Sequence, residues 1–127
     1  MSFKTEQIDN MIIRTLNADF DPATELAASG EELMAALNQA EQPVFLIIDM
    51  LDVQFSIEQM ILAANSGKQR NLFQHPNNRE LIFVTRDDML ALSAKGLDSS
   101  AFGHVKAKVF TSLDKAVAYA HSQKDII

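Results

Sequence analysis

The stretch VFLIIDMLDVQFSIEQ, residues 44–59, decides the fold class. Its first part, residues 44–50, is apolar on both faces, which is typical of a central parallel strand. Ser56 and Gln59 have the spacing of a helix capping box, so a helix begins after a short loop. The boundary is therefore either a site of chemistry or only the place where a strand ends and a helix begins.

The residues before this stretch predict a hairpin and a helix. Residues 3–8 and 11–16 have strand character, and the Asp-Asn pair between them suits a tight turn. The helix begins either behind Asp21, with a proline in its first turn, or only at Ser29. Ser29 has capping-box spacing to an acid three residues further on, and Gly30 interrupts the pattern between the two possible starts.

The residues after it predict two more strands, each followed by a helix. The helix behind Ser56 extends to about Phe73, and residues 81–85 form a second buried strand. Asp87 caps the next helix, which Gly96 ends. Lysines on one face of residues 105–110 indicate an edge strand, and the Thr-Ser pair behind it caps a final helix.

The element order is thus β-β-α-β-α-β-α-β-α. An N-terminal hairpin followed by alternating strands and helices is typical of an α/β fold with a mostly parallel sheet and right-handed crossovers. The 127 residues fit a single domain, residues 1–127.

Composition narrows the class of protein. A net charge of −6 and scattered lysines and arginines argue against nucleic acid and membrane surfaces as partners. The sequence has no cysteine, and it has neither an apolar run long enough to span a membrane nor a signal-like N-terminus. A cytoplasmic location is the simplest expectation. No nucleotide-binding or nucleophile-elbow motif is present, so we expect no cofactor and no enzymatic activity.

Three segments carry a resemblance to a known family: PVFLIIDM leading into the helix at Ser56, ELIFVTRDD leading into the next helix, and VKAKVFTSLDKAVAYAH. In these the chain resembles the STAS-like, SpoIIAA-like domains, a group that includes anti-sigma-factor antagonists. The resemblance implies a non-enzymatic regulatory domain that contacts a protein partner or itself, as a homodimer. It also implies a phosphorylated serine about where Ser56 stands. Phe55 precedes that serine and no glycine follows, so the family's phosphorylation motif is absent and the chain resembles the divergent members of the group.

The interaction or phosphorylation surface that we expect lies at the start of the helix behind Ser56 and in the loop near Arg86. If Phe55 is exposed there, it would be a good contact anchor. Ser56 is either only an N-cap, which we favour, or also a phosphorylation site. The residues of this expected surface are Asp52, Phe55, Ser56, Gln59, Arg86 and Asp87.

Two other kinds of site remain open. Asp49 or Asp52 would be the phosphoacceptor of a Mg²⁺ site; we favour caps and loop residues, with Arg86 pairing one of the acids. We also expect the three histidines to be surface residues. Alternatively, the protein binds a small apolar ligand in a pocket lined by methionine and phenylalanine side chains, although such residues usually form core. The residues of this expected pocket are Met34, Met50, Met60, Met89, Phe45, Phe83, Phe102 and Phe110.

Overall fold

A five-stranded sheet with helices on both faces forms the centre of the protein. The computed structural model describes residues 2–100 and 104–123. The predicted element order is confirmed. The elements are β1 (Phe3–Ile8), β2 (Met11–Leu16), α1 (Pro22–Gln39), β3 (Val44–Asp49), α2 (Ile57–Gln69), β4 (Asn78–Val84), α3 (Asp88–Gly96), β5 (Ala107–Phe110) and α4 (Leu113–Ser122).

The strands lie in the sheet in the order in which they occur in the chain, β1-β2-β3-β4-β5. β1 is antiparallel to β2, and the turn between them holds Asp9 at a φ of 55°. The remaining neighbours are parallel, with Ile12 opposite Leu46 and Leu46 opposite Leu81. β5 is an edge strand, as the lysines of residues 105–110 predict, although it begins at Ala107 rather than at residue 105.

The two faces of the sheet are covered by different helices. Parallel neighbours joined by right-handed crossovers carry their connecting helices on one face, and α1, α2 and α3 share such a face. α4 covers the other face through Ala116 and Ala120. Because successive strand residues point to opposite faces, β3 contributes to both cores, as predicted: Phe45 and Ile47 pack below α4, and Leu46 packs below α1.

α1 is one continuous helix, so a start at Ser29 is wrong. Asp21 caps it, since Asp21 Oδ1 accepts a hydrogen bond of 3.0 Å from the amide of Ala23. Ser29 lies buried inside the helix. Gly30 does not end it; a Cβ atom at Gly30 would lie 2.7 Å from Cδ of Arg70. The glycine therefore serves close packing of α1 against the end of α2.

α2 is shorter than predicted. It ends at Gln69, and Asn71 adopts a φ of 56°, which turns the chain back so that the Leu72 amide donates to the Gly67 carbonyl. β4 begins at Asn78, earlier than the predicted residue 81. The predicted loop after α3 is described only in part, because residues 101–103 lie outside the described residues. Among the described helices, none has the length and hydropathy needed to cross a membrane.

Candidate functional site

The capping box at the start of α2 is confirmed. Ser56 Oγ accepts a hydrogen bond of 3.1 Å from the Gln59 amide, and Gln59 Oε1 accepts one of 2.9 Å from the Ser56 amide. The capping box thus satisfies two of the backbone donors at this helix start, the amides of Ser56 and Gln59. Ser56 is exposed. Its hydroxyl is therefore engaged as a cap and also faces solvent.

Phe55 is not the exposed anchor that the sequence suggested. Only 9% of its surface is exposed, and its ring stacks on Phe20 at a centroid distance of 6.3 Å. It belongs to a core cluster that also contains Met50, Val53 and Leu90. The loop between β3 and α2 folds inward at alternate residues, because burial of its apolar side chains outweighs the cost of ordering it.

The acids near the carboxyl ends of the strands have local backbone partners. Asp49 Oδ1 accepts a hydrogen bond of 3.1 Å from the Leu51 amide. Asp87 caps α3, as predicted, through a bond of 2.9 Å from the Met89 amide.

Asp52 and Arg86 are exposed. Within the described part of the chain Arg86 makes no ion pair, so its expected pairing with a neighbouring acid is wrong. No group of three histidine, aspartate or glutamate side chains is arranged to hold a metal ion in residues 2–100 and 104–123.

The histidines make surface contacts. His75 joins the turn before β4 to α1, with its Nε2 at 2.7 Å from Asn38 Oδ1. His104 lies 3.5 Å from Asp98, and His121 lies 3.4 Å from Asp9.

A cavity of about 310 Å³ lies between the sheet and α1, α2 and α3. Small-molecule pockets have volumes of about 300–1,000 Å³, so this one is large enough for a small ligand. Its wall is mostly apolar, and Met50, Met60 and Phe83 of the expected pocket line it. Phe45, Met89, Met34 and Phe110 of that expected set do not, and Phe102 lies outside the described residues.

Arg14 is a buried arginine in the wall of this cavity, and only 1% of its surface is exposed. Nε donates to Thr5 Oγ1 at 3.1 Å, Nη1 donates to the carbonyl and the hydroxyl of Ser29, and Nη2 lies 3.2 Å from Glu32 Oε1. Burial lowers the pKa of Arg14, and the charge of Glu32 opposes that shift. Each nitrogen of its guanidinium thus has a protein partner, a feature that the sequence pattern did not reveal.

Arg70 is the second arginine of the cavity wall and lies closer to solvent, with 28% of its side chain exposed. Its Nη1 is 3.9 Å from Glu31 Oε1, and the Glu31 side chain is 74% exposed. An ion pair of that length with one strongly exposed partner is weak. Arg70 therefore presents a cation at the cavity with little compensation from the protein.

The exposed faces of α2 and α3 carry an apolar patch. Six large apolar side chains are exposed among the described residues, and five of them lie on these two helices. Ile57 and Ile61, which share a helical face with Met60, are more than half exposed and also line the cavity. We call these five residues the α2–α3 patch: Ile57, Ile61, Leu62, Met89 and Leu92.

Comparison with solved structures identifies the fold. The chain is similar to RsbS of Moorella thermoacetica, solved with one serine replaced by glutamate, with a TM-score of 0.63 and 13% identity over 96% of this chain and 97% of that one. It is also similar to an uncharacterized DUF3478-family protein with a SpoIIAA-like fold from Shewanella loihica PV-4, with a TM-score of 0.60 and 12% identity over 93% and 91% of the two chains. No protein-family profile matches the sequence, and no curated protein matches it significantly. The protein has a SpoIIAA-like fold, as the resemblance implied.

Proposed function

We propose that this chain is a single non-enzymatic regulatory domain of the cytoplasm that acts through protein contacts made by the α2–α3 patch. The observation that carries the proposal is the concentration of exposed apolar side chains on two neighbouring helices. Scattered apolar residues are normal on a surface, whereas exposed apolar residues concentrated in one region are typical of an interaction site. The fold shared with RsbS supports a regulatory role, and the acidic charge balance supports a protein rather than a nucleic acid as partner.

The partner that this surface fits is a second copy of the chain. α2 has Glu58 in its first turn and Lys68 in its last, and α3 has Asp88 and Lys95 in the same positions. A two-fold axis across the patch would place the acidic helix starts of one copy opposite the basic helix ends of the other. The patch is thus apolar, and the charges around it are complementary to those of a second copy.

The test is the molar mass in solution across a dilution series, measured by light scattering and sedimentation. The wild type should be a dimer that dissociates on dilution, and Leu92→Glu or Leu62→Glu should weaken the dimer at least tenfold. Neither side chain lines the cavity, so the ligand site stays intact. Ile8→Glu is the matched control, because Ile8 on β1 is exposed to the same 46% as Leu62 but lies off the patch. A wild type that is monomeric throughout would contradict self-association.

The cavity favours a second function, the binding of a small apolar ligand. Native mass spectrometry of the purified protein should show a ligand adduct or, after delipidation, uptake of an added apolar compound. Ala64→Leu places extra volume in the cavity wall and should abolish binding, whereas Ala118→Leu on the exposed face of α4 should leave it unchanged. Equal binding by both variants would show that the compound binds elsewhere.

A further inference from the structure

We infer that the cavity takes an amphipathic anion, a monocarboxylate with an unbranched alkyl chain, and that Arg70 binds its carboxylate at the mouth. The inference rests on the ligand-binding function proposed above and specifies the chemistry of the ligand. It follows from the charges of the cavity wall, from the state of its two arginines and from the position of the mouth.

The charged side chains that line the cavity are positive. Among the described residues, arginine is the only charged residue type that lines the cavity, and the other polar contributions come from three serines. No aspartate or glutamate of residues 2–100 and 104–123 lines it, and the two acids that contact the arginines, Glu31 and Glu32, are partly exposed at the protein surface. In an apolar enclosure, where charges are poorly screened, this excess of positive charge favours an anionic group on the ligand.

The two arginines are not equivalent. The guanidinium of Arg14 is already bound by Thr5, Ser29 and Glu32. The guanidinium of Arg70 has no hydrogen-bond partner within residues 2–100 and 104–123, and its single ion pair there is 3.9 Å long. A guanidinium offers a planar pair of donors that matches a carboxylate. Arg70 is therefore the arginine with donors left for a ligand.

Gly30 places Arg70 at the mouth of the cavity. A Cβ atom at residue 30 would lie 2.7 Å from Cδ and 2.8 Å from Nε of Arg70, so the stem of the arginine rests directly on the backbone of α1. This contact restricts the side chain before any ligand arrives, which lowers the entropy cost of binding.

Apolar side chains also reach solvent in the cavity wall. Ile57 and Ile61 on α2 both line the cavity and reach solvent, and Ser93 and Gly96 line it from α3. Where the two helices approach each other, Ser93 Oγ lies 3.1 Å from Met60 Sδ. A ligand at this site would have its alkyl chain among apolar side chains and its polar end at the surface, which is the distribution that an amphipath requires.

The experiment is calorimetric titration of the delipidated full chain with decanoate and, in parallel, with decanol. Decanoate should bind at least tenfold more tightly than decanol. Arg70→Gln should remove that preference and leave the affinity for decanol unchanged. Arg79→Gln is the control, because it removes one arginine charge outside the cavity wall. Equal affinities for decanoate and decanol in the wild type would overturn the inference while leaving the apolar-ligand function standing; binding of neither would overturn both.

Two further measurements keep the test decisive if Arg70→Gln misfolds. Glu31→Gln removes the competing carboxylate from an exposed position and should raise the affinity for decanoate severalfold without changing that for decanol. In the series hexanoate, octanoate, decanoate, each added methylene should tighten binding about fourfold until the cavity is full. A Glu31→Gln variant that weakens decanoate binding, or affinities that are independent of chain length, would overturn the inference.

Discussion

The hydroxyl of Tyr119 on α4 donates a hydrogen bond of 2.5 Å to Glu80 Oε1 on β4. Burial, and then the hydrogen bond and the charge of Glu80, raise the pKa of Tyr119 to about 12, while Arg79 acts in the opposite direction. The chain has one tyrosine and no tryptophan, so the near-ultraviolet absorbance of phenolate reports this group alone.

Alkaline titration should therefore show a tyrosine midpoint near pH 12 in the folded protein. Because the folded pKa is raised, the associated stability is complete below the unfolded pKa of about 10 and is lost as pH rises through the folded value. Glu80→Gln should move the midpoint towards about 10. A midpoint that is the same in both proteins would show that Glu80 does not interact with the phenol.

Ser56→Ala should lower the free energy of unfolding by about 1 kcal/mol, because the Gln59 amide loses its acceptor. Ser56→Asp is the control, since aspartate is an equally good N-cap and should restore nearly all of the loss. Urea unfolding followed by circular dichroism measures both. Equal losses for the two variants would mean that Ser56 stabilises the protein through something other than its cap.

Gly67→Ala should destabilise the protein by about 1–3 kcal/mol, because overpacking forces neighbours to shift. A Cβ atom there would lie 2.2 Å from Cζ of Phe73. Gly96→Ala is the matched control. Apart from its own helix backbone and its chain neighbours, no described atom lies within 4 Å of its Cβ position, and alanine is the better helix former, by up to about 1 kcal/mol. Chemical denaturation of the pair should give changes of opposite sign, and changes of the same sign would contradict this packing.

Glu32→Gln should destabilise the fold by about 1–2 kcal/mol, because it weakens a charge-assisted contact to the buried Arg14. Glu32 is itself half-exposed, which keeps the effect below that of a fully buried pair. Glu31→Gln should change stability by less than about 0.5 kcal/mol, since its ion pair with Arg70 is long and exposed. Thermal unfolding of both variants measures the two changes in stability, and equal changes would contradict the difference between the two ion pairs.

Much of this fold follows from local sequence signals. β3 is identified by residues that are apolar on both faces, and helix starts are identified by Ser56, Asp87 and Ser112, whose side chains all accept amide hydrogen bonds as caps. Such signals act within a few residues, so one sequence is enough to detect them.

The features of the fold that those local signals do not predict depend on tertiary contacts. From the sequence alone Gly30 resembles a helix breaker, whereas in the structure it lies against the Arg70 side chain. Phe55 likewise resembles a surface residue, whereas its ring stacks on Phe20. Ile57 and Ile61 have the periodicity of a core face and yet are exposed, because periodicity shows which residues share a face but not what covers that face. The cavity is a space left between elements, so no local pattern in the sequence encodes it.

The order of the strands in the sheet has a consequence for synthesis. Each strand pairs with the strand made just before it, so the sheet can grow as the chain leaves the ribosome. Among the described helices, α4 is the one that covers the face containing Met11, Phe45 and Ile82, and it is made after all five strands. The Asn10 side chain donates a hydrogen bond of 2.9 Å to the Ala120 carbonyl. This bond joins the turn between β1 and β2 to α4. We expect nascent chains stalled before residue 113 to engage chaperones, and chains that include α4 to be released from them.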